Sequence, residues 1–167
     1  MPRTYRGADA ERLWELKQGF ERGLGQATGD DRKARTYEEK LTPRYRDRYL
    51  DWVDRCTTEN PRSVLVAERD RTPVGYVFVL PESLAHIWDG AVINELYVEP
   101  RARGDEIGTT LLESALGVAR EQDLPLDRVL LDVDRENGPA SELYDSFGFD
   151  HWGEILVRDL PADAGGV

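Results

Sequence analysis

Residues 96–112 read LYVEPRARGDEIGTTLL. An alternating apolar segment ends at Val98, proline follows at position 100, a charged turn carries Gly104 and Gly108, and a run of helix formers begins. A strand, a glycine-bearing turn and a helix in that order gather unpaired amide groups at the helix start, where the helix dipole adds partial positive charge. Such a junction is either a plain tight turn or a seat for an anion such as phosphate. The amides of residues 104–109 form the seat if the helix begins near Gly108. Neither GxxxxGK[ST] nor GxGxxG occurs, so nucleoside triphosphate and dinucleotide sites have no motif behind them.

Outward from this junction, hydrophobic periodicity supplies the other elements. A short extended piece precedes a helix from about 9 to 24, with Leu13, Leu16 and Phe20 on one face and Asp9 as N-cap. Residues 25–42 lack an apolar period and contain the turn signal Gly29-Asp30, which predicts a loop with room for a short helical piece. Pro43 then opens an amphipathic helix with Tyr45, Tyr49, Trp52, Val53 and Cys56 on one face. RSVLVAER and TPVGYVFVL read as a hairpin, and GAVINELYVEP as a third consecutive strand. After the helix IGTTLLESALGVAREQ come a buried strand, DRVLLDVD, a short helix, GPASELYDSFG, and a last strand, FDHWGEILVRDL. The order β-α-α-β-β-β-α-β-α-β predicts a mixed α/β (α+β) architecture, one domain over residues 1–160, with a disordered tail at 161–167.

Composition narrows the function. The formal net charge is -11, with 33 acidic residues against 22 basic, which argues against nucleic acid as a partner. No stretch approaches eighteen apolar residues and the N-terminal region lacks the apolar core of a secretory signal, so a soluble cytoplasmic protein without membrane contact is expected. One cysteine, Cys56, and two histidines, His86 and His151, predict neither a disulfide nor a metal site. Only Lys17, Lys33 and Lys40 among the basic residues are lysines, and this balance resembles proteins of a high-salt cytoplasm. An acidic surface that attracts a cationic substrate is the competing reading, but the acids are spread along the whole chain.

Two ordered motifs add a resemblance. Arg103-Gly104-Asp105-Glu106-Ile107-Gly108, after Val98-Glu99-Pro100, resembles [QR]-x-x-G-x-[GA], motif A of the GCN5-related N-acetyltransferase (GNAT) family. ENGPASELYDSFGF resembles the family's motif B through Asn137, Ala140, Leu143, Tyr144, Gly148 and Phe149. The resemblance covers roughly residues 4–158. It implies a mostly antiparallel mixed sheet, splayed between the fourth and fifth strands, with helices on both faces. It further implies transfer of acetyl from acetyl-CoA to a primary amine, of a small molecule or of a protein or peptide N-terminus, by direct attack in a ternary complex, in a monomer or homodimer. The alternative is a non-catalytic acyl-CoA-binding module on the same fold.

By that resemblance the backbone of Leu96, Tyr97 and Val98 pairs with the pantetheine arm of acetyl-CoA. Arg103, Gly104, Asp105, Glu106, Ile107, Gly108 and Thr109 form the pyrophosphate seat, and Asn137 and Ala140 are further coenzyme contacts. Glu106 stands where the motif has its central glycine; the expectation is that its side chain points to solvent, with Arg101 and Arg103 offsetting its charge. Glu95 is the candidate base: on a strict period of two it shares a face with Ile93 and Tyr97, a lone carboxylate among apolar neighbours. Asp132 and Asp134 are weaker alternatives. Tyr144 is the candidate acid for the leaving thiolate. Tyr37, Tyr45 and Trp52 are candidates for lining the acceptor pocket, and Glu21, Glu38 and Glu39 for attracting a cationic acceptor.

Overall fold

The computed structural model describes residues 1–27, 31–134 and 136–162. Five strands, β1 (Arg3–Thr4), β2 (Val64–Arg69), β3 (Thr72–Val79), β4 (Ala91–Val98) and β5 (Val129–Leu131), form one sheet in sequence order. Neighbours are antiparallel except β4 and β5, which run parallel. Asp70 and Arg71 close the β2–β3 hairpin with φ of 51° and 63°, the left-handed pair that matches the strands' own twist.

Helices α1 (Ala10–Ala27) and α3 (Pro43–Glu59) cover one face, and α4 (Ile107–Arg120) and α5 (Gly138–Ser146) the other. α3 starts where expected: Thr42 Oγ1 accepts the Tyr45 amide at 3.1 Å with Pro43 in the first turn, and Tyr49, Val53 and Cys56 are buried. α4 buries Leu111, Leu112, Ala115, Val118 and Ala119, and each leucine contributes about 1.5–3 kcal/mol by leaving water. Ile107, expected inward, is half-buried at the edge of that cluster.

Several expectations change. Residues 31–40 form a complete helix, α2 (Asp31–Lys40), in the segment read as a loop; it buries no residue, so it has no apolar period to detect. The turn signal Gly29-Asp30 lies outside the described residues. Asp9 ends a 3-10 turn preceding α1, accepting the Arg6 amide at 2.8 Å and pairing with Arg3. The strand expected over 127–134 is only three residues long and half-buried. The final strand is absent: residues 149–162 carry no strand, and Trp152, Ile155, Leu156, Val157 and Leu160 are exposed. That stretch has β-forming residues but pairs with no strand edge among the described residues; Phe149 packs on Tyr144, Arg32 pairs with Asp159 at 2.7 Å, and Arg128 lies over the Trp152 ring. Of the tail expected to be disordered, 163–167 lie outside the described residues.

Candidate active site at the β4 edge

β4 pairs with β5 only through Ala91, Val92 and Ile93. At that point the β3 register slips: Phe78 faces Glu95, but Val79 faces Ile93, leaving Asn94 as an extra residue. The bulge reverses the alternation. Val92, Glu95 and Tyr97 belong to the face covered by α1 and α3, whereas Ile93, Leu96 and Val98 face α4. Glu95 therefore shares its face with Tyr97 but not with Ile93, contrary to the strict alternation read from the sequence.

Beyond the bulge β4 has an open edge. Its orientation follows from Gly75, where a β-carbon would come within 2.8 Å of Tyr97 O, so the Tyr97 carbonyl faces β3. Its neighbours Leu96 and Val98 then direct their peptide groups to the open side. The Val98 carbonyl there accepts Arg103 Nε at 2.9 Å, with the guanidinium over the Tyr97 ring. The edge runs into the anion seat. α4 begins at Ile107, and its first backbone bond is Thr110 N to Glu106 O, so the amides of Ile107, Gly108 and Thr109 precede the helical ladder. Leu143 of α5 comes to 3.7 Å and Val98 to 3.9 Å of the place where a β-carbon on Gly108 would sit, so both motifs meet the end of β4.

Glu106 is exposed, as expected, and adopts the left-handed conformation, φ 60° and ψ 14°. Its charge is not offset as anticipated, because Arg101 pairs with Glu99 and Arg103 is engaged by Val98. Asp105 pairs with Arg69. A residue with a β-carbon pays about 1–2 kcal/mol in this conformation, and glycine does not. Glu106→Gly is expected to gain about 0.5–1 kcal/mol in urea denaturation, part of the strain being offset by glycine's unfolded freedom. The same variant should bind acetyl-CoA more tightly at low salt by calorimetry, and the gain should vanish in multimolar salt, where screening acts within about 3 Å.

On the α1 face, Glu95 is buried, with a relative exposure of 4%. Its Oε1 accepts Tyr49 and Tyr76, each at 2.7 Å, and its Oε2 accepts Lys17 Nζ and Asn94 Nδ2, each at 3.0 Å. Burial first, and the Glu95 charge second, push both phenols well above their ordinary pKa, so they remain donors. Burial opposes the Lys17 charge, but Glu95 and Glu21 outweigh it and hold the ammonium above its usual pKa. α1 approaches β4 closely enough that a β-carbon on Gly19 would overlap the Tyr97 phenol.

Tyr144 lies on the other face, packed edge-on to Phe149 at 5.8 Å, with its pKa pushed up to about 12 by burial. Asn137 caps α5 by accepting the Ala140 amide at 3.3 Å. Asp134 is tied to Lys33 at 2.5 Å, which lowers its pKa, and Asp132 is exposed. Tyr45 and Tyr37 surround Lys40, whereas Trp52 packs on Phe78 in the core. Glu38 pairs with Arg22 at the surface, Glu39 is exposed, and Glu21 is buried. Lys17, Tyr49, Tyr76 and Asn94 were not singled out from the sequence. The available signal was the charged pair Lys17 and Glu21, four residues apart in the apolar stripe of α1. A cavity of about 290 Å³ lies elsewhere, lined by Glu59, Asn60, Glu82, Glu121 and Gln122.

Comparison with known proteins places the chain in a family. A peptidyl-lysine N-acetyltransferase of Escherichia coli, YjaB, is 31% identical over 120 residues, covering 72% of this chain and 70% of that protein. Mycothiol acetyltransferase of Thermobispora bispora is 36% identical over 96 residues, covering 56% of this chain. The chain spans only 32% of that protein's length, and 36% of its counterpart from Acidothermus cellulolyticus. The fold superposes on PaiA N-acetyltransferase of Thermoplasma acidophilum in complex with coenzyme A, with a TM-score of 0.69 at 22% identity, covering 90% of this chain and 89% of that one. The Acetyltransferase (GNAT) family model matches residues 26–149, a span that takes in the β4 bulge, the anion seat and the asparagine-capped α5, and the chain belongs to that family.

Proposed function

We propose that this chain is an N-acetyltransferase that carries the acetyl group of acetyl-CoA to a primary amine by direct attack in a ternary complex. The observation that carries the reading is the edge of β4, open from the bulge to Val98 and leading straight to the amides at the start of α4. Acetyl-CoA supplies the acyl group as a thioester. Leu96 and Val98 accept the pantetheine arm as an added strand once Arg103 releases the Val98 carbonyl. The amides of Ile107, Gly108 and Thr109 take the pyrophosphate, with Arg103 as the nearby cation.

The thioester then lies at the bulge between two proton-handling groups on opposite faces. α4 and α5 fill one side, so the amine approaches from the side of α1, α2 and Glu95. An alkylammonium of pKa about 10 has no lone pair and must first lose a proton. Glu95 takes it through Oε2, because Asn94, on an exposed side chain, is the donor best able to move aside. The nitrogen–carbon bond forms and the carbon–sulfur bond breaks. Tyr144 gives its proton to the departing sulfur and recovers one from solvent, while the nitrogen sheds its second proton, for a net release of one proton. In this reading the charge of -11 suits a high-salt cytoplasm, and no metal, membrane or nucleic acid takes part.

Calorimetric titration with acetyl-CoA, at low and multimolar potassium chloride, tests the reading. About micromolar affinity is expected for the unaltered chain, and at least about a tenfold loss for Gly108→Trp, which adds a ring at the anion seat beside Leu143 and Val98. No binding in either salt would sink the proposal.

A further inference from the structure

Glu21 carries a property that the transfer reaction does not explain. It lies on α1 with a relative exposure of 2%, and its Oε1 accepts Lys17 Nζ at 2.5 Å and forms an ion pair with Lys40 Nζ at 2.7 Å. Its Oε2 is buried and has no hydrogen-bond partner among the described residues. A buried carboxylate with one oxygen bare is costly unless a further donor completes it. The surroundings suit a cation. Lys40 Nζ stands 5.1 Å from the Tyr45 ring centre and 5.5 Å from that of Tyr37, and Lys17 Nζ stands 4.9 Å from Tyr49 and 5.1 Å from Phe20. Tyr45 and Tyr49 are parallel to within 10°. Aromatic faces around a carboxylate are the chemistry that holds alkylammonium ions.

The two lysines are not equivalent. Lys17 is enclosed, its side chain 4% exposed and joined to both Glu21 and Glu95. Lys40 is 35% exposed and ends α2, a helix that buries no residue. With Lys40 docked, two carboxylates face two ammonium groups; with Lys40 withdrawn, the cluster is left one positive charge short. A lysine tip is itself a primary alkylammonium, and in a chain whose basic residues are arginines apart from Lys17, Lys33 and Lys40, a lysine stands at this place.

We propose that Glu21, Tyr37 and Tyr45 form a seat for the acceptor's ammonium group, and that Lys40 is a built-in plug that the acceptor displaces. The occupant is a primary alkylammonium, as on a free diamine or a lysine side chain. Calling it the acceptor rests on the acetyl-transfer reading above. The seat is joined to Glu95 by two ion pairs that share Lys17, on the face of the sheet from which the amine is proposed to approach.

Direct binding tests the seat without the coenzyme. Cadaverine and Nα-acetyl-lysine methylamide are titrated by NMR into the unaltered chain, Lys40→Met and Glu21→Gln, following the tyrosine ring signals, with n-butanol as the neutral control. Lys40→Met is expected to bind both amines about three- to tenfold more tightly, since the plug no longer competes. Glu21→Gln is expected to bind them at least about tenfold more weakly, and n-butanol is expected not to bind. Unchanged or weaker amine binding in Lys40→Met overturns the plug, and equal binding of n-butanol overturns the ammonium seat. Preference for either amine supports the seat and identifies its source. In the turnover assay the same Lys40→Met variant should lower KM for amine. Loss of acetyl-CoA binding alone would end the transfer reading while leaving the seat intact, so the two failures are distinguishable.

Discussion

A Glu95→Gln variant is expected to lose about a hundredfold to ten-thousandfold in turnover and about 3 kcal/mol in stability. The stability loss follows from the four donors. Glutamine can still accept Tyr49 and Tyr76 through its oxygen, but its amide nitrogen then faces Lys17 Nζ and Asn94 Nδ2, donor against donor. Lys17 keeps Glu21 and loses half of its compensating charge in a buried site. In a chain of this size the loss corresponds to a fall of about 6–12 °C in Tm. The double variant Lys17→Met/Glu95→Gln removes the uncompensated ammonium and its part of the clash, and exposed Asn94 can turn its amide oxygen to the glutamine, so the variant should regain most of the stability and none of the turnover. Thermal denaturation and initial rates on the three proteins decide the matter. Recovery of turnover in the double variant would mean that the carboxylate only balances Lys17 and that the proton leaves by another route.

Tyr144→Phe is expected to lower kcat about a hundredfold while leaving acetyl-CoA affinity unchanged. The phenol's pKa is pushed up to about 12 by burial, against about 10 for a free tyrosine. The raised value favours the protonated folded state. That contribution is fully present below about pH 10 and is lost as the pH rises through 12. Between about pH 6 and 9 the phenol therefore keeps its proton, and the loss in Tyr144→Phe should be even across that range, with neither limb of the pH profile displaced. An ordinary thiol, at about 8.5, is the stronger acid of the pair, so the phenol assists the sulfur while the bond is breaking. Burial raises a thiol in the same place, which narrows the gap. A rate loss that fades toward alkaline pH would show instead that the resting phenol loses its proton within that range.

The parts of the fold that were legible are those whose geometry demands particular residues. Val98, Pro100, Gly104 and Gly108 mark a strand that must stop, a turn with a positive φ at Gly104, and a helix that must start close to its neighbours. Asn137 and Pro139 announce the first turn of α5 in the same way. The bulge at Asn94 left no such mark, because an inserted residue needs no special side chain and INELYV reads as unbroken alternation. That one residue moved Glu95 from the company of Ile93 to that of Val92, Tyr49 and Tyr76. α2 was illegible for a different reason. Its attachments are polar and close rather than apolar: Arg22 to Glu38, Lys40 to Glu21, and an approach to Gly25 that leaves no room for a β-carbon beside Ala34. The final strand was over-read because β-forming composition supplies half of a strand and an available partner edge supplies the other half.

The positions of the three lysines also set how this protein can be handled. Lys17 is enclosed, while Lys33 and Lys40 belong to α2, and Cys56, the single thiol, is buried. Amine-reactive dyes, cross-linkers and coupling resins will therefore take hold of α2 and clamp the wall through which an acceptor is expected to pass. An immobilised or labelled form that keeps the site free has to be tethered through a thiol introduced away from both α2 and the anion seat, for instance in place of the exposed Arg120 at the opposite end of α4.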